Sequence, residues 1–143
     1  MKRPVRLNNM KDGWTNDNYV IFFDDDESLS ATEAYDLKRY IPNHRIIAIW
    51  GWDNFILKNA ADEVFLVPTI PLDKNELEPF NLEINPEQIV PDDKFAGKIK
   101  WYTKPIIFGG DPNTGENLTW IDLQSHQKLV CWWNQRYYEI KNK

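Results

Sequence analysis

The chain has 143 residues, 42% of them hydrophobic, 27% charged and 14% aromatic, which excludes a disordered linker and sets the expectation of one domain with a real core. Twenty-two acids against 17 Lys and Arg leave a net charge of −5, which repels phosphate backbones and argues against nucleic acid as the partner. There is no apolar run of membrane-spanning length, the opening Met1-Lys2-Arg3-Pro4-Val5-Arg6 has no secretory apolar stretch, and the lone Cys131 allows no internal disulfide, so the chain reads as cytoplasmic.

Residues 1–18 mix Asn, Asp, Gly and Lys without a period and read as an irregular N-terminal arm that packs through Trp14. Tyr19 to Phe23 is a strand-length apolar run that ends abruptly in Asp24, Asp25, Asp26 and Glu27. Ser30 with Glu33 fits a capping box, which places a short helix from there to Tyr40, stopped by Pro42. Three strand-like runs follow, Arg45 to Trp50, Asn54 to Leu57 and Glu63 to Val67. Their short gaps favour an antiparallel meander over parallel crossovers.

Pro68 to Pro91 carries prolines at 68, 71, 79, 86 and 91, yet Ile70, Leu72, Leu77, Phe80 and Leu82 need burial, so this stretch reads as an ordered loop wrapped on the domain. Lys98 to Tyr102, Pro105 to Phe108 and Leu118 to Ile121 are further strand candidates, with turns at Gly109-Gly110-Asp111-Pro112 and Asn113-Thr114-Gly115. Asp122 is placed to cap a last helix to about Ile140. Its apolar stripe is Leu123, His126, Val130, Trp133, Tyr137 and Ile140; Trp132 lies about 100° from Trp133, so the two indoles cannot share one face and one of them is expected to be partly exposed. The sum is an α+β domain over residues 1–143: a curved, mostly antiparallel sheet with flanking helices, including an amphipathic helix at the C-terminus.

Charge is unevenly spread, with eight acids and no Lys or Arg from Asp12 to Asp36. Such a run forms a solvated face or a steering surface for a cationic partner. The apolar run ending in Asp24-Asp25-Asp26-Glu27-Ser28 also resembles the start of magnesium-dependent phosphatases of the haloacid dehalogenase class, in which Asp24 would be nucleophile and Asp26 general acid. Such enzymes need a parallel sheet, a downstream Lys and a second acidic pair at a strand end. Here the acidic pair, Asp92-Asp93, falls in the proline-rich stretch. Ser125 and His126 point about 100° apart on a helix and form no triad, and His44 with His126 is a weak basis for acid–base catalysis. Asn117-Leu118-Thr119 matches a glycosylation sequon that has no secretory context. No catalytic residue, metal ligand or cofactor is assigned. The seven Trp residues are many for this length; most belong in the core, and one exposed beside Asp53 would suit recognition of a basic protein surface.

Gly51-Trp52-Asp53-Asn54-Phe55-Ile56-Leu57, Val67-Pro68-Thr69-Ile70-Pro71-Leu72, Ile106-Ile107-Phe108-Gly109-Gly110-Asp111-Pro112 and the stretch Asn117 to Tyr138 with Trp132-Trp133-Asn134 resemble bacterial proteins of the SUKH (Smi/Knr-like) superfamily. The resemblance covers about two thirds of the chain, from Tyr35 onward, and its motifs are structural. It implies an α+β fold and, for many bacterial members, an immunity protein that neutralises a toxin by contact. The leading helix, Leu-Pro and Asn-Gly turn of that pattern are replaced here by the Asn- and Asp-rich arm. The resulting expectation is a non-enzymatic binding protein for a cationic toxin domain, with Asp24, Asp25, Asp26, Glu27, Trp52 and Asp53 as the contact residues.

Overall fold

The structure is a computed structural model that describes residues 11–15, 18–81, 89–92, 94, 98–104, 108–110 and 117–141. Its main sheet is an antiparallel meander of β1 (Lys11–Thr15), β2 (Asn18–Phe22), β3 (His44–Trp50), β4 (Asn54–Asn59), β5 (Val64–Pro68) and β6 (Glu78–Pro79), each strand beside its neighbour in sequence. The helices α1 (Asp25–Ala34) and α2 (Leu37–Tyr40) fill the connection from β2 to β3. A separate hairpin-like pair, β7 (Ile99–Tyr102) and β8 (Leu118–Ile121), precedes α3 (Leu123–Lys141). The α+β class and the meander are as the gap lengths between apolar runs predict.

Two features of the first half differ from expectation. The arm is not irregular throughout, because residues 11–15 pair with β2 in a register running from Lys11 opposite Phe22 to Thr15 opposite Asn18. Residues 89–91 then lie against β1, where Trp14 and Val90 exchange backbone hydrogen bonds of 2.8 and 2.9 Å. The approach depends on Gly13: a Cβ there would stand 2.6 Å from the Val90 carbonyl oxygen. The second difference is that α1 begins at Asp25, five residues before Ser30, with Asp24 as its cap.

Both faces of the sheet are covered, and strand parity assigns the residues to them. Tyr19 and Ile21 of β2 join Phe55, Leu57 and Val67 in the larger cluster, under Ala31, Tyr35, Leu37 and Ile41 of the helical connection and Val130 of α3. Val20 and Phe22 point the other way, into a smaller cluster with Ala48, Ile56 and Ile89. In β3, Ile46 and Ile49 both face the larger cluster although an odd spacing should place them on opposite faces. A register shift between Ile46 and Ala48 inserts the extra residue that makes this possible.

The wrapped stretch after Pro68 is ordered over its described part and is fastened to α3 by a side chain that periodicity does not reveal. Asn134 is fully buried; its Oδ1 accepts from the Leu72 N–H at 2.7 Å, and its Nδ2 donates to the Thr69 and Val130 carbonyls at 2.9 and 3.0 Å. The buried seam of α3 therefore runs His126, Val130, Asn134 and on to Tyr138, whose hydroxyl donates to the Leu72 carbonyl at 2.7 Å. The expected stripe fails at its end, because Ile140 is 59% exposed. The Asp122 cap is as expected, its Oδ1 accepting from the Ser125 N–H at 2.7 Å. Of the two indoles that cannot share a face, Trp132 is the exposed one. The strand expected at 105–108 and most of the turns at 109–115 lie outside the described residues, as does Leu82.

Candidate interaction surface

The acidic run is first of all a helix start. Asp24 Oδ1 accepts from the Glu27 N–H at 2.8 Å, and Glu27 Oε1 accepts from the Asp24 N–H at 2.7 Å, a reciprocal capping box. Three carboxylates in the first turn also oppose the positive end of the helix dipole. Glu27 is only 3% exposed, so its assignment as a contact residue is corrected: it is spent on the helix start. Asp24, Asp25 and Asp26 remain exposed. Asp25 is shared with Arg45, whose guanidinium lies 3.5 Å away at the beginning of β3.

The same geometry weakens the support for the phosphatase reading. β2 has antiparallel neighbours on both sides, where that class requires a parallel sheet, and the oxygen of the would-be nucleophile Asp24 accepts a backbone hydrogen bond. Among the described residues no group of three or more His, Cys, Asp or Glu is arranged to hold a metal ion.

The other end of β3 has a different character. Gly51 and Trp52 form the turn into β4 with φ of +61° and +72°. Glycine adopts that conformation freely, whereas a bulky L-residue there is strained and is held only by what surrounds it. For Trp52 the holding contacts are aromatic: its ring stacks on Tyr19 with centroids 4.5 Å apart and planes 5° from parallel, and it meets Trp120 edge-on at 5.4 Å. Trp14 extends the row, edge-on to Tyr19 at 5.3 Å, with its Nε1 donating to Asp92 at 3.0 Å. The Tyr19 hydroxyl donates to the buried Asp12 carboxylate. The row thus passes from a fixed, buried base to Trp120, which is 41% exposed on β8.

Asp53 follows Trp52 and is exposed, with its backbone carbonyl accepting from the Thr69 N–H at 2.9 Å. Protein mass around its carboxyl raises its pKa above the usual carboxylate value, and Lys100 partly offsets this. The side chain still reaches water, so screening keeps that effect small. The site therefore presents an exposed indole, Trp120, on a rigid aromatic base, and an exposed carboxylate, Asp53, next in sequence to Trp52.

The six residues chosen from sequence are therefore divided between two places. Asp25 touches Arg45 near the start of β3, and Trp52 follows Trp50 at its end, so about 17 Å of strand separates the patches at ~3.3 Å per residue. Trp120 and Trp14 belong with Trp52, over the buried Tyr19, and are not among those six. Only the count of Trp hinted at them, because the row is assembled from β1, β2, β8 and the turn before β4.

The remaining candidates resolve as structural. His126 is fully buried, its Nδ1 sharing a 2.6 Å hydrogen bond with the Tyr35 hydroxyl and its ring edge-on to Tyr35 and Trp101. Burial lowers its pKa to about 3, so it is neutral in the folded protein. His44 lies at the surface against the Pro42 carbonyl, 2.9 Å away, and forms no pair with His126. Asn117 of the sequon donates to the Lys104 carbonyl and accepts from the Lys104 N–H. Cys131 rests its thiol on the Ala34 carbonyl, and burial raises its pKa. Among the described residues no helix is long and apolar enough to cross a membrane. No family model matches the chain, and neither a curated protein nor a solved structure matches it.

Proposed function

We propose that this chain is a non-catalytic binding protein of the immunity type, which neutralises a cationic toxin domain by protein–protein contact through Trp52, Trp120 and Asp53. The observation that carries this reading is the strained, aromatic-locked placement of Trp52 beside an exposed Trp120. Rigid indoles lose little conformational entropy on binding and are over-represented among residues that dominate interface energy. Asp53 supplies a carboxylate for a Lys or Arg of the partner. Asp24, Asp25 and Asp26, at the far end of β3, act through long-range attraction, which speeds encounter more than it tightens the complex. The SUKH resemblance and the negative net charge both support the same assignment.

The test is co-expression with the product of an adjoining toxin-like reading frame. The expected result is growth rescue and a stable complex for the unaltered chain, and loss of both for a Trp52→Ala, Trp120→Ala double variant that retains its fold by circular dichroism. Magnesium-dependent phosphatase turnover that disappears in Asp24→Asn would overturn the reading in favour of an enzyme.

A further inference from the structure

A groove away from the aromatic row brings three cations together on an acidic protein. Arg39 comes from α2, Lys74 from the short 3-10 turn Lys74–Glu76, and Lys141 from the end of α3; Tyr40, Asp73, Asn75 and Tyr138 complete a cavity of about 390 Å³. That volume lies in the range of small-molecule sites. Three cations and one carboxylate line it, in a chain whose net charge is −5.

Arg39 and Lys141 are positioned by aromatic rings as well as by carboxylates. Tyr40 and Tyr138 stack with centroids 4.9 Å apart and planes 11° from parallel, and the Tyr138 hydroxyl is tied to Leu72. The Arg39 guanidinium lies 5.6 Å from the centroid of Tyr40, and the Lys141 ammonium 5.6 Å from that of Tyr138. Cation–π contact fixes the position of a charge without neutralising it. Asp73 is buried and takes one N–H of Lys141 at 2.8 Å, and it also accepts from the Asn75 N–H at 2.9 Å, so its charge is met within the protein. Arg39 also pairs with solvent-exposed Asp36 at 3.6 Å, and Glu76 bears on Lys141 from the turn that carries Lys74.

We propose that this groove binds a small oxyanion of the phosphate class, free or as a monoester, between Arg39, Lys74 and Lys141. Guanidinium and ammonium groups form charge-assisted hydrogen bonds to tetrahedral oxyanions. A ligand there would join α2, the loop after Leu72 and the end of α3, and would stabilise the fold by mass action.

The test is an amide-resonance titration of the full chain with inorganic phosphate, against chloride at matched ionic strength. Saturable shifts confined to residues 38–41, 72–76 and 137–141 are expected, and about tenfold weaker binding in both Lys74→Gln and Arg39→Gln. These two side chains are at the surface, and neither substitution unpairs buried Asp73. Phenyl phosphate, run in parallel, separates the two sources of the ligand: tighter binding than inorganic phosphate identifies a monoester, and equal binding identifies the free ion. Shifts that fail to saturate by about 50 mM phosphate, or undiminished binding by the Arg39→Gln, Lys74→Gln double variant, overturn the proposal.

Discussion

The two ends of β3 divide between them what a sequence reading had joined. At the first end, four consecutive acids meet the start of α1, where Glu27 is buried, Asp24 caps, and Asp25 leans on Arg45. At the second, a Trp occupies a left-handed turn because Tyr19 and Trp120 hold it there. Charge density in a sequence is thus a poor guide to a binding surface when a helix begins inside the run, because backbone N–H groups claim the carboxylates first. Strain maintained by one buried and one exposed aromatic ring has no such local explanation, and this is why the second end carries the proposed contact.

The largest expected effect tests that division directly. Trp52→Gly retains the turn, since glycine avoids the roughly 1 kcal/mol cost of the left-handed conformation, and removes the ring that Tyr19 and Trp120 hold. Affinity for the toxin domain should fall by about 2 kcal/mol or more, roughly thirtyfold, by titration calorimetry. An Asp25→Asn, Asp26→Asn variant should change the association rate and its salt dependence several-fold and leave the dissociation rate nearly unaltered. The reverse pattern would place the contact at the acidic end.

A somewhat smaller effect belongs to neither end and separates fold stability from surface charge. His126 is neutral in the folded protein with a pKa of about 3, against 6.5 when unfolded. Its contribution is complete above pH 6.5 and is lost as the pH falls toward 3, because the unfolded chain takes up a proton that the folded one refuses. At pH 5 the loss is about 2 kcal/mol. Urea denaturation at pH 8 and pH 5 should show this extra acid sensitivity in the unaltered chain and in Asp24→Ala, and should show it missing in His126→Gln. If His126→Gln keeps the full sensitivity, the carboxylates at the two ends of β3 are responsible instead.

The legible and illegible parts of the molecule differ in the range of the interactions that determine them. The meander could be read because β2 to β5 each carry their own apolar run and the gaps between them are too short for crossovers. The α3 cap was legible for the same reason, since Asp122 and Ser125 are three residues apart. The start of α1 was not legible in the same way: Ser30 and Glu33 stand three apart, as Asp24 and Glu27 do, and it is the earlier pair that forms the capping box in the fold. Asn134 was invisible as a core residue, since its partners Leu72 and Thr69 lie more than 60 positions away. The aromatic row was invisible for a related reason: it joins four segments, and no local pattern announces that Trp120 ends beside Trp52.

The smallest expected effects lie within the acidic run itself, and they measure how its carboxylates are divided between cap and solvent. Asp24→Ala deletes the side-chain acceptor for the Glu27 N–H, while the backbone N–H at position 24 still donates to the Glu27 carboxylate, so it should cost about 1 kcal/mol in urea denaturation. Asp25→Asn loosens one exposed pair with Arg45, worth about 0.5 kcal/mol or less. Asp26→Asn removes an exposed carboxylate with no role in the capping box and should stay within about 0.5 kcal/mol of the unaltered chain. This ordering follows from local geometry at the helix start and is independent of any partner. A cost for Asp26→Asn equal to that of Asp24→Ala would mean that the run is held by more than the helix it opens, and the contrast between the two ends of β3 would lose its physical basis.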